Sequence, residues 1–168
     1  MKFDINLKQL KEKDVTKKYV EWFKNSEIVK YSNNQYKSFS IKSQKEYIKN
    51  VNKNVNADLY GIFIKDKHIG NVLISDFLSM HKRAEISYIL GEKELWGQGV
   101  ITYAISLIII KAKEYYKLNK LYASCASRNI GSKTVLIKNG FVLEGIRKNH
   151  LYYNNEWHDQ YDFGLNLK

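Results

Sequence analysis

The stretch RAEISYILGEKELWGQGVITYA, residues 83–104, decides the fold. Its opening, Arg83–Leu90, alternates polar and apolar side chains with the two-residue period of a strand. From Val100 the period changes. Ile101, Ala104, Ile105, Ile108, Ala112 and Tyr115 recur at three- and four-residue intervals, so a helix is predicted from Val100 to Tyr116. Between them lies Trp96-Gly97-Gln98-Gly99, where two glycines let the main chain turn sharply and approach a ligand closely. A helix that starts directly after such a turn presents unpaired N–H groups and the positive end of its dipole, a seat for phosphate. The loop is not a Walker loop, since no G-K-[ST] follows, and it is not the six-residue dinucleotide pattern. Taken alone, a G-x-G turn between strand and helix is an ordinary connection.

Working outward, LYASCA (121–126) returns to strand, and Gly131–Asn139 makes a short helix stopped by Gly140. Phe141–His150 and Trp157–Leu167 form a last pair of strands across Asn154-Asn155. Upstream, LYGIFIK (59–65), the turn Asp66-Lys67 and HIGNVLISDFL (68–78) read as a hairpin. Ser40 caps a helix with Ile41, Tyr47, Ile48 and Val51 as its buried positions, and the asparagine-dense Asn50–Asn56 is the loop after it. Asp14 caps another helix through Lys24, and Phe3, Ile5 and Leu7 alternate as a first strand. The order is βααβββαβαββ, a mixed α/β architecture with a crossover helix after the fourth strand.

Composition bounds the class. The 168 residues are 44% hydrophobic and 27% charged, globular values, with no proline and no linker-like stretch, so one domain over 1–168 is expected. A single cysteine excludes an internal disulfide and any multi-cysteine metal site. The N-terminus lacks the apolar core of a signal peptide and no apolar run approaches membrane-spanning length, so a soluble cytoplasmic protein with no membrane partner is expected. The net charge of +11 favours an anionic partner, although a lysine-rich composition without function gives the same count.

A second motif raises the meaning of the first. Asn129-Ile130-Gly131-Ser132 opens the short helix that ends in Asn139-Gly140-Phe141. Strand, W-G-Q-G loop, helix, strand and N-x-x-S-x(5)-K-x-G-F together resemble the GNAT superfamily of N-acetyltransferases. With EWFKNSEIVKY (21–31), HIGNVLI (68–74) and the closing FVLEGIRKNHLYYNNEWHDQYDFGL (141–165), nearly the whole chain looks like the branch that contains the ribosomal-protein alanine acetyltransferases. The resemblance implies a mostly antiparallel sheet with splayed central strands, flanked by helices. It implies acetyl-CoA as co-substrate and no metal.

Its site residues carry over one by one. The loop Trp96, Gly97, Gln98, Gly99, Val100, Ile101 and Thr102 would hold the coenzyme pyrophosphate through backbone amides. The main chain of Ile89, Leu90 and Gly91 would pair with the pantetheine arm running between the splayed strands. Asn129 would hydrogen-bond that arm, and Ser132 would lie near the thioester sulfur. Two positions depart from the pattern. Ile101 stands where a small residue is commoner, and Leu136 stands where many members have a tyrosine acting as general acid. The tyrosine mechanism is therefore excluded, and Ser132 becomes the candidate for protonating the leaving thiolate.

Glu85, where some relatives place a catalytic carboxylate, is the candidate base; its plainer reading is a strand residue paired with Lys82 or Arg83. Energetics set how much a base matters. Deprotonation at neutral pH costs roughly 1–1.5 kcal/mol for an α-amine of pKa ~8 and nearly 5 for a lysine of pKa ~10.4. A weak base suffices for the first. Cys125 reads as a structural thiol and the four histidines show no ligand spacing. Tyr152, Tyr153, Trp157 and Tyr161 either line an acceptor cleft or pack the core of their hairpin, with packing preferred.

The expected activity is transfer of acetyl from acetyl-CoA to a primary amine, a protein N-terminal α-amine first and a nucleotide-linked amino sugar second. A non-catalytic coenzyme A sensor and a nucleic-acid-binding module are the rivals. Against nucleic acid, the lysines are spread along the chain with no stacking motif or recognition helix. A monomer or homodimer is expected.

Overall fold

The computed structural model describes residues 4–78 and 80–168. Its elements follow the expected order: β1 (Ile5–Gln9), α1 (Lys17–Lys24), α2 (Ile41–Lys53), β2 (Ala57–Ile64), β3 (Lys67–Ser75), β4 (Arg83–Leu90), α3 (Val100–Glu114), β5 (Lys120–Ala126), α4 (Ile130–Lys138), β6 (Val142–Tyr153) and β7 (Glu156–Asn166). Phe3, expected in the first strand, lies outside the described residues.

Several local expectations shift. Thr16, not Asp14, caps α1: its Oγ1 accepts the Tyr19 N–H at 3.1 Å, while Asp14 accepts the Lys11 N–H at 2.8 Å and closes a preceding 3-10 turn. Ser40 does cap α2, in a reciprocal pair with Ser43. The buried stripe of α2 runs Gln44, Ile48, Val51, which leaves Ile41 and Tyr47 exposed. The β2–β3 turn is Lys65-Asp66, with Lys65 in the left-handed region at φ 55°. Tyr115 falls just beyond α3 and is exposed. The end of α4 is as expected: Gly140 (φ 83°) turns the chain, Phe141 N–H bonds Leu136 O at 3.1 Å, and both side chains are buried.

The seven strands form one sheet in the order β1-β2-β3-β4-β5-β7-β6. Every pairing is antiparallel except β4–β5, which are parallel because the α3 crossover joins them. One cluster, built on Ile62, Val72, Ile86, Ile105, Ile108 and Leu121, packs α3 and α4 on one face. A second, built on Leu10, Tyr19, Trp22, Ile48, Leu59 and Phe63, packs α1 and α2 on the other.

The parallel seam fixes where a site can be. Only Arg83↔Lys120, Ala84↔Leu121 and Glu85↔Tyr122 are paired; β4 then continues to Leu90 and β5 to Ala126 without further pairing. The splayed central strands are present, and Glu85 marks the point where they part.

Candidate active site

The loop after β4 is shaped by its own side chains. Trp96 Nε1 donates to Leu90 O at 3.1 Å and Gln98 Nε2 donates to Glu94 O, folding the turn back on the strand end. Gly97 and Gly99 adopt φ of 72° and 79°, and a Cβ at either would meet nothing within 4 Å. Glycine is needed there for the backbone conformation, not for want of space. Buried Val100 and Ile101 pin the start of α3 to the core. Ile101 thus points inward, and its bulk does not crowd the loop. Gly99 has no side chain with which to cap the amides of Val100, Ile101 and Thr102, and the first main-chain bond of the turn is Tyr103 N–H to Gly99 O, 3.0 Å. Those amides lie uncapped at the positive end of the helix, an arrangement that suits an anion.

Along the seam, Gly91 gives its N–H to Ile69 O of β3 at 2.9 Å. Strand residues address alternate neighbours, so Leu90 and Tyr88, rather than Ile89 and Gly91, direct main-chain groups at the open side. The Trp22 ring of α1 packs directly on Gly91: a Cβ there would lie 1.9 Å from it. Asn129 caps α4, its Oδ1 accepting the Ser132 N–H at 3.1 Å. That bond uses the oxygen of the amide and not its nitrogen. Ser132 Oγ lies 2.8 Å from Tyr88 Oη. Burial pushes the Cys125 thiol up, which suits a structural residue. Leu136 is fully buried in the core.

The opposite face of the seam is different. Glu85 is half-buried beside Tyr122, and its carboxyl is raised above the ordinary range by burial and by the charges of Asp76 and Asp162. Arg83 lies over the Tyr122 ring, 5.6 Å from its centre, rather than pairing with Glu85. A carboxyl raised above its ordinary range is a stronger proton acceptor than a free one, and Asp162 beside it is paired with Arg147 at 2.8 Å. Farther along this face, a cleft of about 200 Å³ is lined by Lys30, Tyr31, Arg128, Asn154, Glu156 and His158. The chain between α1 and α2 docks there on the β6–β7 hairpin: Tyr36 Oη donates to Tyr152 O and Tyr153 Oη to Asn33 Oδ1. Of the hairpin aromatics, Tyr153 is buried and Tyr161 packs on the core, whereas Tyr152 and Trp157 pair outside it with ring centres 5.1 Å apart. The packing expectation therefore holds for two of the four.

Sequence reasoning missed two residues. Tyr88 occupies a core position on β4, and a tyrosine there asks for a hydroxyl partner; that was the available signal. Glu92 is buried and held by Lys18 (2.6 Å) and Lys67 (2.7 Å), partners too distant in sequence to suggest it. It lines the larger cavity, about 360 Å³, between α1 and residues 91–94. His68 is packed among Tyr19, Trp22 and Phe63 and bonds Gly70 O and Asn71 Oδ1. Asp159 pairs with Lys148 rather than His158. Among the described residues no cluster of potential metal ligands occurs, and no helix is long and apolar enough to cross a membrane.

Residues 4–142 match the acetyltransferase (GNAT) domain family. The chain is similar to the ribosomal-protein-serine acetyltransferase of Escherichia coli (strain K12), 32% identical over 103 residues, which are 61% of this chain and 57% of that protein. The match thus spans little more than half the relative's length. Among solved structures, the ribosomal-protein-S5-alanine acetyltransferase from Vibrio fischeri superposes with a TM-score of 0.86 at 23% identity, covering 100% of this chain and 96% of that one. A spermidine N-acetyltransferase from Vibrio cholerae in complex with CoA and spermine gives 0.85 at 19% identity, covering 97% and 95%. These likenesses establish the fold. The uncapped α3 amides and the unpaired stretch of β4 suit a linear, phosphate-bearing ligand with amide groups.

Proposed function

The chain belongs to the acetyltransferase (GNAT) domain family, and from that premise we propose that it transfers acetyl from acetyl-CoA to a primary amine, with a protein N-terminal α-amine as acceptor. The observation that carries the reading is the seam: its strands part at Glu85, with a phosphate seat at one end and opposite chemistries on its two faces. Acetyl-CoA supplies an acyl group activated by a thiolate leaving group.

The chain's residues do the rest. The amides of Val100, Ile101 and Thr102 hold the pyrophosphate, and the open edge of β4 orients the arm along the seam. Asn129 adds a hydrogen bond to that arm. Glu85 takes the proton that the amine gives up as its lone pair forms the C–N bond. Ser132 donates a proton to the sulfur, which keeps the electron pair of the broken C–S bond. Both side chains then re-equilibrate with water. With Asp162 paired to Arg147, Asp76 and Glu85 are the carboxylates that favour an ammonium on the acceptor side despite the net positive charge. An α-amine needs only about 1–1.5 kcal/mol of help at neutral pH, within reach of one carboxylate.

A nucleotide-linked amino sugar is the second reading, favoured by Lys30 and Arg128 in the 200 Å³ cleft, where a diphosphate would compete with Glu156 for Arg128. The test is acetyl-CoA turnover, read as free thiol. Its acceptors are serine- and alanine-initiated peptides, the same peptides blocked at the N-terminus, and an amino-sugar nucleotide. Turnover with the free peptides alone is expected. Turnover with the sugar alone would replace the acceptor, and no turnover with any of them would remove the activity.

A further inference from the structure

Tyr88 leaves β4 three residues beyond the last β4–β5 pair, where the strands have already parted. Its ring packs on the core cluster shared with α3 and α4, and its hydroxyl emerges at the first turn of α4. There it meets Ser132 twice, at 2.8 Å from Oγ and 3.3 Å from the main-chain oxygen. A phenol has one proton to give, and the shorter contact is the better bond. When Tyr88 donates to Ser132 Oγ, the serine proton must point elsewhere. We propose that Tyr88 is a positioning residue for Ser132: its O–H donates to Ser132 Oγ and turns the serine's own proton into the seam, toward the sulfur of bound coenzyme.

This proposal rests on the coenzyme reading above and deepens it. With the serine fixed in this way, the hydroxyl stabilises negative charge on sulfur as the C–S bond breaks, with no rotor search at that moment. The chain lacks a tyrosine on α4, and Tyr88 brings a phenol to the first turn of that helix from the strand. It supports the acid and does not touch the substrate itself. A tyrosine that merely satisfies its own hydroxyl on a convenient serine would share the geometry, so the test must separate the two.

The readout is the pKa of the coenzyme A thiol in the binary complex, followed by ultraviolet absorbance of the thiolate, which needs no acceptor and no turnover. Ser132→Ala should raise it. Tyr88→Phe, which keeps the ring and its packing, should raise it by about half a pH unit to one pH unit. Tyr88→Phe should add nothing once Ser132 is alanine. A thermal melt of each variant confirms that it is folded. Equal effects of Tyr88→Phe with and without Ser132, or none in either background, would overturn the positioning role. So would a Ser132→Ala protein whose bound thiol titrates like the parent's. Failure of the parent to bind coenzyme A at all would instead bring down the acetyltransferase reading, and the role with it.

Discussion

Valine in place of Gly99 separates the conformational demand of the loop from its role in binding. Gly99 sits at φ 79° and ψ 4°, and no neighbour stands within 4 Å of an added Cβ. The cost to the folded state without ligand is therefore backbone strain alone, about 1–2 kcal/mol for an L-residue in the left-handed region. For a chain of 168 residues, each kcal/mol moves the melting temperature by about 2–4 °C. The ligand-free variant should thus melt about 2–8 °C below the parent. Acetyl-CoA at a hundred times its Kd adds about 2.7 kcal/mol to whatever binds it, or about 5–11 °C. The parent should gain that shift. Gly99→Val should gain almost none, because a branched side chain would occupy the approach to the Val100 and Ile101 amides. Gly99→Asn, which tolerates the left-handed region, should keep part of the protection. Differential scanning fluorimetry with and without millimolar acetyl-CoA reads all three. A parent whose melt does not move, or a valine variant protected as fully as the parent, would refute the phosphate seat.

Three further outcomes are expected. Ser132→Ala should lower kcat by about 10²–10⁴-fold while leaving the KM for acetyl-CoA nearly unchanged, since proton delivery to sulfur acts in the transition state; unchanged kcat would reduce the residue to helix capping. Glu85→Gln should slow turnover most near pH 6.5 and least near pH 9, because an α-amine of pKa ~8 then loses its proton unaided. Parent activity should itself fall as pH drops through the raised Glu85 pKa, so the gap narrows again in acid, and a deficit constant across pH would assign Glu85 to binding. Glu92→Gln should cost about 1–3 kcal/mol near neutral pH, less than a fully buried pair, because Lys18 and Lys67 remain more than half exposed and regain water. Burial would raise the Glu92 carboxyl, but hydrogen bonds from Lys18 and Lys67 hold it down at about 2, so its contribution is full above the ordinary value of 4.5 and fades as pH falls toward 2. Urea midpoints at pH 7 and pH 3 should show the parent–variant gap shrinking, and a gap that widens in acid would contradict the ion pair.

The element order was legible because each segment keeps one period: β4 alternates and α3 repeats at three and four residues. What was not legible lies between segments. Asp14 and Thr16 are both good caps, and only the 3-10 turn that captures Asp14 decides between them. Ile41 and Tyr47 are apolar, yet the stripe that α2 buries follows Gln44 and Ile48, a rotation set by what α2 packs against. In the site, the glycines of the loop announce themselves, since few side chains can take their φ. The Tyr88–Ser132 contact joins residues 44 apart and has no periodic signature. The local acidity around Glu85 was hidden in the same way, because a net charge counts residues and says nothing of which meet across a sheet.

The three-pair seam also means that the sheet is two ladders sharing a corner, β1 to β4 on one side and β5, β7 and β6 on the other. An exposed strand edge is ordinarily a template for aggregation. Here the unpaired run of β4 is an interior edge between the two halves of the sheet, and Tyr88 ties it to α4. A slender chain with amide groups can act as the missing strand. Exchange of the Tyr88 and Leu90 amides, which face the open side, should therefore be fast in the free protein and slow once such a ligand completes the ladder, joining the two halves into one cooperative unit.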